Sequence, residues 1–257
     1  MTAVPRPTGL ETHPAFTWVG HRGAGVTVRS AYIENTLPSF EAAIQQGADM
    51  LEFDIQMSSD GDLLLFHDDM IGPNHSTGLS QDVMINDCRS DMLQALPLGT
   101  ETITIPRLDT LFKQFKGRTT FYCELKHHPN LGTDYHHSLA QKCIALISSY
   151  GLEKDCLIVS FNREILAYCA TLNPSLRYGL NLSKSSPISG LQDLTIHCIC
   201  PDFEHHQRLV PDTWCGAVIP YNVNTPEAVQ VCLSAGYSGI TTDDLTLKNV
   251  IKTDTHA

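Results

Sequence analysis

The sequence contains no run of apolar residues long enough to cross a membrane, although 42% of its 257 residues are apolar. A transmembrane helix needs about 20 consecutive apolar residues, so no membrane span is predicted. The N-terminal segment also lacks the basic start and the apolar stretch of a secretory signal. These absences indicate a globular protein, and we expect it in the cytoplasm.

Basic residues are scarce: 17 Lys and Arg stand against 28 Asp and Glu, which gives a net charge of −11. Nucleic acids and anionic membranes are usually bound through clustered Lys and Arg, so we expect no nucleic-acid partner. An anionic small molecule would need positive charge at the point of contact. A metal ion, a few cations or helix N-termini can supply it.

The cysteines show no paired pattern, since their number is nine and they are scattered through apolar segments. This arrangement is typical of buried free thiols rather than of a disulfide framework, and it favours the cytoplasm. Cys198 and Cys200 form a C-x-C that could hold a soft metal. No second thiolate pair has matching spacing, so we interpret them as alternate positions on a strand.

Strand and helix patterns alternate along the chain. This alternation predicts a single (β/α)8 TIM barrel of the α/β class. A doubly wound open sheet is the competing architecture, but no G-x-G-x-x-G follows the first strand. The predicted strands cover 17–21, 50–57, 119–125, 156–160, 176–182, 196–203, 217–221 and 239–242, and the main helices cover 35–46, 108–115, 135–150, 163–172, 226–235 and 245–251.

Between residues 70 and 105 the periodicity is weak and polar residues are frequent. We interpret this stretch as a small insertion after the second strand, with one short helix over 89–96. It could cover a site and set its specificity, or it could be a plain surface excursion. Because no linker rich in Gly, Ser or Pro is present, residues 1–257 are predicted to form one domain.

A hairpin is predicted where Asp60-Gly61 separates two apolar runs. If these two residues form the whole turn, Ser59 faces Asp62 and Asp54 lies opposite His67. Side chains paired in this way have Cβ atoms about 5 Å apart. The hairpin would therefore bring a histidine beside a carboxylate.

Charged residues stand at alternate positions of two predicted strands. Glu52 and Asp54 share one face of the second strand, and Glu124 and Lys126 share one face of the third. Each pair alone has an ordinary explanation, such as a surface ion pair. Strand ends meet at one face of a barrel, so the three carboxylates are expected to converge there. Without a thiolate they would form an oxygen site for Mg²⁺ or Ca²⁺.

Cations and histidines are predicted at the same barrel face. His21 and Arg22 end the first strand, and His67 arrives from the hairpin. Arg22, Lys126 and a metal ion would neutralise a phosphate placed between the two histidines.

The order and spacing of these motifs resemble the glycerophosphodiester phosphodiesterase family over nearly the whole chain. The matching segments are His21-Arg22-Gly23, Glu34-Asn35-Thr36, Gly47-Ala48-Asp49, Glu52-x-Asp54, Asp60-Gly61, His67-Asp68, Glu124-x-Lys126, Ser160-Phe161, Val223-Asn224 and Gly239-Ile240-Thr241-Thr242-Asp243. The resemblance implies a metal-dependent barrel enzyme that hydrolyses glycerophosphodiesters, as small-molecule substrates, to glycerol 3-phosphate and an alcohol.

The resemblance also implies roles for individual residues. It assigns His21 and His67 as base and acid, Glu52, Asp54 and Glu124 as metal ligands, Arg22 and Lys126 as phosphate contacts, Tyr221 as a substrate contact, and Glu34 and Asn35 as supporting residues. Two positions depart from the family pattern. Ile33 stands where many members have Pro, and Tyr221 stands where many have Trp, which could alter the apolar wall facing the glycerol or the headgroup.

Two other functions remain open from the sequence. One is a related barrel phospholipase acting on phosphoinositides or sphingolipids. The other is a catalytically inactive barrel that binds a metal or phosphate ligand as a sensor, although both histidines and all three carboxylates are present. The headgroup, the choice of metal ion and a possible homo-oligomer are left open.

Overall fold

The computed structural model describes residues 16–99 and 102–249. Its strands are β1 Thr17–Gly20, β2 Met50–Met57, β3 Leu63–Leu65, β4 Met70–Ile71, β5 Val83–Met84, β6 Thr120–Leu125, β7 Cys156–Ser160, β8 Arg177–Leu182, β9 Cys198–Pro201, β10 Ala217–Val218 and β11 Gly239–Thr242. Its α-helices are α1 Leu37–Gln45, α2 Ser90–Ala95, α3 Leu108–Phe115, α4 Thr133–Tyr150, α5 Arg163–Leu172, α6 His206–Leu209 and α7 Pro226–Ser234.

Eight parallel strands form a nearly closed barrel in the order β10, β9, β8, β7, β6, β2, β1, β11. Backbone hydrogen bonds link the two ends of this order, from Ser238 N to Val218 O at 2.9 Å and from Thr241 N to Pro220 O at 2.8 Å. The predicted (β/α)8 architecture is confirmed. The end of the last predicted helix, at 250–251, lies outside the described residues.

Alternation along the strands separates the packing face from the barrel interior. On β2, Phe53 and Ile55 are fully buried in the main apolar core, which also contains Phe112 of α3. Glu52 and Asp54 occupy the alternate positions of the same strand and line a cleft. The same alternation on β6 sends Glu124 into that cleft, so the barrel core fixes the direction of all three carboxylates.

The insertion after the second barrel strand has a small apolar core of its own. Strands β4 and β5 pair antiparallel, and α2 follows at nearly the predicted position. Ile71, Ile85 and Leu93 are fully buried together with Leu64 of β3. No helix within the described ranges is both long and apolar enough to cross a membrane.

The predicted register of the hairpin is wrong by one residue. Met57 pairs with Leu63 and Ile55 with Leu65, and the Phe66 amide donates to the Asp54 carbonyl at 3.1 Å. Residues 58–62 close the turn instead of the Asp-Gly pair alone: the Gly61 amide donates to the Ser58 carbonyl at 3.0 Å, Gly61 takes a left-handed conformation, φ +85°, and the Ser58 amide donates to the Asp62 carbonyl at 3.0 Å. This is the three-residue loop in which glycine occupies the last position. His67 therefore lies beyond the end of β3 rather than opposite Asp54.

Candidate active site

Three carboxylates converge at the carboxyl ends of two adjacent barrel strands. Asp54 of β2 and Glu124 of β6 are register partners, and Glu52 lies on the same face. One carboxylate oxygen from each lies within 4.8 Å of the others, and no other such cluster occurs in 16–99 or 102–249. Oxygen ligands at this separation fit a divalent cation such as Mg²⁺ or Ca²⁺.

The three carboxylates are buried close together, which disfavours the charged forms of Glu52 and Glu124. Glu52, Asp54 and Glu124 are only 4%, 2% and 8% exposed. Burial and the neighbouring carboxylates raise the pKa of Glu52 well above its ordinary value. Burial also raises the pKa of Glu124. A divalent cation would remove this repulsion, so the donor set fits a metal ion.

Lys126 compensates part of this charge. Its Nζ atom lies 3.2 Å from a carboxylate oxygen of Asp54 and 3.2 Å from one of Glu124. Burial opposes the charged form of Lys126, but the two carboxylates outweigh it and raise the pKa of the amine. Burial also opposes the charged form of Asp54, yet the neighbouring cations, Lys126 first, lower the pKa of Asp54.

Amide donors orient each carboxylate from behind. The Arg22 backbone amide donates to Glu52 Oε2 at 2.6 Å, and Asn181 Nδ2 donates to Glu124 Oε2 at 2.8 Å. Asn35 Nδ2 donates to Asp54 Oδ2 at 2.8 Å, while the Asp54 amide donates to Asn35 Oδ1 at 3.2 Å. The carboxylates are therefore held in place in the absence of any ion.

Asn35 makes two hydrogen bonds to Asp54 and has a left-handed backbone conformation, φ +56°. We expect Asn35→Ala to destabilise the protein by about 2–4 kcal/mol, since it loses buried hydrogen bonds and forces Ala into a region disfavoured by about 1–2 kcal/mol. Asn35→Gly removes the same hydrogen bonds without the backbone strain. Urea unfolding should therefore rank Gly as the milder change, and equal stability of both variants with wild type would contradict this account.

His21 is held by Asp243, a residue to which the sequence reasoning gave no role. His21 Nδ1 lies 2.7 Å from Asp243 Oδ1, and Asn224 Nδ2 donates to Asp243 Oδ2 at 2.6 Å. Burial would raise the pKa of Asp243, but hydrogen bonds from His21, Val26 N and Asn224 and the charge of His21 outweigh it and lower that pKa. An ionised Asp243 leaves His21 Nε2 as the ring nitrogen available to the cleft.

His67 reaches the cleft from the segment after β3. Gln56 is fully buried, and its Nε2 donates to the carbonyls of Phe66 and Asp68 at 2.7 Å each. These two bonds clamp the backbone on both sides of His67. The His67 ring is 35% exposed, and its Nδ1 lies 2.6 Å from Asp68 Oδ1.

Three further predicted residues, Arg22, Glu34 and Tyr221, lie at or behind the wall of the cleft. Arg22 Nη1 donates to Glu34 Oε1 at 2.6 Å, which places Glu34 behind the arginine. Tyr221 donates its hydroxyl to the Leu182 carbonyl at 3.1 Å and packs edge to face against Phe161, with the ring centroids 5.9 Å apart. Tyr221 and Phe161 therefore form an aromatic wall, and Phe161 was missed as a lining residue.

The cleft has about 150 Å³ of space and brings most of the predicted residues together. Lys126 contacts the cleft through its two ion pairs, whereas Glu34 and Asn35 lie behind the wall of the cleft, in contact with Arg22 and Asp54. The cleft is lined by His21, Arg22, Glu52, Asp54, His67, Tyr122, Glu124, Phe161, Asn181, Tyr221, Asn222 and Thr241.

Known proteins of one family resemble this chain in sequence and in fold. A glycerophosphodiester phosphodiesterase of Caldanaerobacter subterraneus subsp. tengcongensis is 26% identical over 246 residues, which cover 91% of this chain and 97% of the relative. A solved glycerophosphodiester phosphodiesterase of Parabacteroides distasonis superimposes with a TM-score of 0.78 at 22% identity, covering 94% and 98% of the two chains.

A further solved structure is a phosphodiesterase of Oleispira antarctica in complex with the product sn-glycerol 3-phosphate. It superimposes with a TM-score of 0.76 at 20% identity, covering 92% of this chain and 96% of that one. At these identities, the two solved structures establish the fold alone. The model of the glycerophosphoryl diester phosphodiesterase family matches residues 21–203, which is more than half of the chain. The chain belongs to the glycerophosphoryl diester phosphodiesterase family.

Proposed function

We propose that this protein hydrolyses glycerophosphodiesters to glycerol 3-phosphate and an alcohol. The observation that carries the proposal is the convergence of three buried carboxylates and two histidines on one cleft. Membership of the phosphodiesterase family supports the reaction class. The relative solved with sn-glycerol 3-phosphate supports this product.

In the proposed reaction, His21 is the general base. Asp243 holds Nδ1, so Nε2 accepts a proton from water or from a substrate hydroxyl as that oxygen attacks phosphorus. Arg22 lies next to His21 in the chain and offers a guanidinium to the phosphoryl oxygens.

His67 is the proposed general acid. As the bond between phosphorus and the departing oxygen breaks, His67 Nε2 donates its proton to that oxygen, and the alcohol leaves neutral. The Gln56 clamp fixes the backbone that carries His67. Because an alkoxide is a poor leaving group, this proton transfer is needed most for simple alcohols.

The proposed metal ligands are Glu52, Asp54 and Glu124, with Mg²⁺ or Ca²⁺ as the ion. When bound, the ion supplies charge neutralisation at the phosphoryl oxygens. Lys126 contacts two of the three carboxylates and stays protonated beside them. Lys126 is therefore placed to stabilise the carboxylate cluster and to add positive charge next to the phosphate.

Metal removal tests this proposal directly. Protein stripped with a chelator should release no glycerol 3-phosphate from the choline, ethanolamine, glycerol or inositol diester, and added Mg²⁺ or Ca²⁺ should restore the release. Release unaffected by chelation would exclude the metal role. No release from any diester with either ion would favour the inactive sensor barrel instead.

A phospholipase-type substrate is the second candidate, and a groove beside the cleft is the observation that favours it. The groove has about 490 Å³ of space and shares Arg22 and His67 with the cleft. Its apolar walls are formed by Val26, Val28, Ile33, Phe66 and Leu98. An acyl chain on one arm of the diester would bury apolar surface there. Faster turnover of lysophosphatidylcholine than of glycerophosphocholine would select this candidate.

We also propose that the protein acts in the cytoplasm. All nine cysteines are free thiols, and seven of them are buried. Free thiols of this number persist in a reducing compartment. Fractionation of cells that produce the tagged full chain would test this location.

A further inference from the structure

A second histidine stands behind His67. Asp68 bridges the two rings, with Oδ1 2.6 Å from His67 Nδ1 and Oδ2 3.1 Å from His75 Nε2. His75 belongs to the insertion, and its ring packs edge to face on Phe66 with the centroids 5.3 Å apart. The insertion thus reaches the residue proposed as the general acid through a carboxylate.

The backbone fixes which nitrogen of His75 carries the proton. The Gly72 amide donates to His75 Nδ1 at 3.2 Å, so Nδ1 is an acceptor. A neutral imidazole with an accepting Nδ1 carries its hydrogen on Nε2. His75 Nε2 therefore donates to Asp68, and Asp68 accepts from both histidines.

Asp68 determines which nitrogen of His67 is available to the cleft. Burial would raise the pKa of Asp68, but the hydrogen bonds from His67 and His75 and the charge of His67 outweigh it and lower that pKa. An ionised Asp68 can only accept, so His67 must donate from Nδ1, and Nε2 is the nitrogen available to the cleft. The geometry defines both the tautomer and the orientation of the ring.

We propose that Asp68 and His75 are positioning residues that hold His67 with Nε2 directed at the leaving oxygen. The inference rests on the proposed function, because it needs His67 to be the acid. The insertion, which lies outside the barrel, would then contribute to the reaction, because its His75 donates to the carboxylate that holds His67. Asp243 provides the matching support for His21 from the barrel itself.

The test compares two diesters of glycerol phosphate, one with choline and one with p-nitrophenol as the leaving group. Without the acid, choline would have to leave as a high-energy alkoxide, whereas p-nitrophenolate is stable without a proton. Loss of a general acid should therefore lower kcat/KM by about 100-fold or more for the choline diester and only a few-fold for the aryl diester.

His75→Phe keeps the ring that packs on Phe66 and removes the donor to Asp68. Asp68 is 53% exposed, and exposed contacts are weak, so the expected loss is about 5-fold on the choline diester and under about 2-fold on the aryl diester. Asp68→Asn should lose more, with the same dependence on the leaving group. His75→Gln, which restores a donor amide, should recover most of the activity.

His205→Phe is the matched control. His205 lies 3.1 Å from Asp202 and is 37% exposed, close to the corresponding values for His75, but it does not line the cleft. It should leave both reactions unchanged. Melting temperatures of all variants in the metal-loaded protein separate loss of folding from loss of positioning.

Three variants distinguish failure of the inference from failure of the proposed function. A leaving-group-dependent loss in His67→Asn, combined with no such dependence in His75→Phe and Asp68→Asn, would overturn the inference and leave the proposed function intact. An equal loss on both diesters in His67→Asn would remove the acid role and the inference together. If the inference holds, adding His75→Phe to His67→Asn causes no further loss.

Discussion

Replacing Glu52 by Gln is expected to lower turnover of a glycerophosphodiester by at least about 1,000-fold, the loss of roughly 4 kcal/mol of transition-state stabilisation. Gln has the same shape and its Oε1 can still accept from the Arg22 amide, which contacts Glu52 at 2.6 Å. The cleft would therefore stay intact while one metal ligand loses its charge. Release of glycerol 3-phosphate at saturating Mg²⁺ or Ca²⁺ measures the effect.

The same variant should change stability in the opposite direction. Burial and the neighbouring carboxylates disfavour the charged form of Glu52 in the metal-free protein, so a neutral Gln removes that cost. We expect the metal-free melting temperature to stay or rise, and the increase on adding metal to shrink, because binding to the native state is weakened.

Glu41→Gln provides the control for Glu52→Gln. Glu41 is a carboxylate on α1 that pairs with Arg118 on the surface, and it does not line the cleft. It should leave turnover and the metal-induced rise in melting temperature unchanged. Full turnover by Glu52→Gln would mean that the carboxylate cluster does not hold a catalytic ion.

The barrel and the carboxylate cluster were predictable because they follow from local rules. Carboxylates two residues apart share one face of a strand, and parallel barrel strands end at the same face. Glu52, Asp54 and Glu124 therefore converge without any knowledge of the loops. The direct pairing of Asp54 with Glu124 depends on the register of β2 against β6, which the sequence alone did not provide.

Two local conformations differ from the prediction for different reasons. The Asp-Gly pair is compatible with a two-residue or a three-residue loop, and the hairpin has the longer one, with Gly61 left-handed at its last position. Asn35 was predicted as the first residue of the helix over 35–46, yet it lies before α1 in a left-handed conformation and binds the distant Asp54. Local propensity cannot report such contacts.

The role of Asp243 was missed for a related reason. Its contact with His21 joins residues 222 positions apart and exists only because β11 lies beside β1 and closes the barrel. The carboxylate after the last strand is visible in the sequence as the final residue of the motif at 239–243. Its partner became clear only when the first and last strands were placed next to each other.

His21→Asn should lower kcat/KM by about 100- to 10,000-fold, the range for loss of a general base. The effect should fall mainly on kcat, since Arg22 and the ion that the carboxylate cluster would hold can still bind the substrate phosphate in the same cleft. Steady-state kinetics on the choline diester measure both constants. Turnover within a few-fold of wild type would exclude His21 as the base.

Asp243→Asn separates the orientation of the base from the base itself. The Asn amide can present an oxygen to His21 Nδ1 only by turning its NH₂ group toward the Asn224 amide, which now donates to Asp243 at 2.6 Å. One of the two contacts must be lost, so we expect an intermediate loss of roughly 10- to 100-fold in kcat, typical of a residue behind the reacting group. In the His21→Asn background the same change should have no further effect, because Asp243 then has no imidazole to orient. An additive loss in the double variant would show that Asp243 acts on the reaction by a route other than His21.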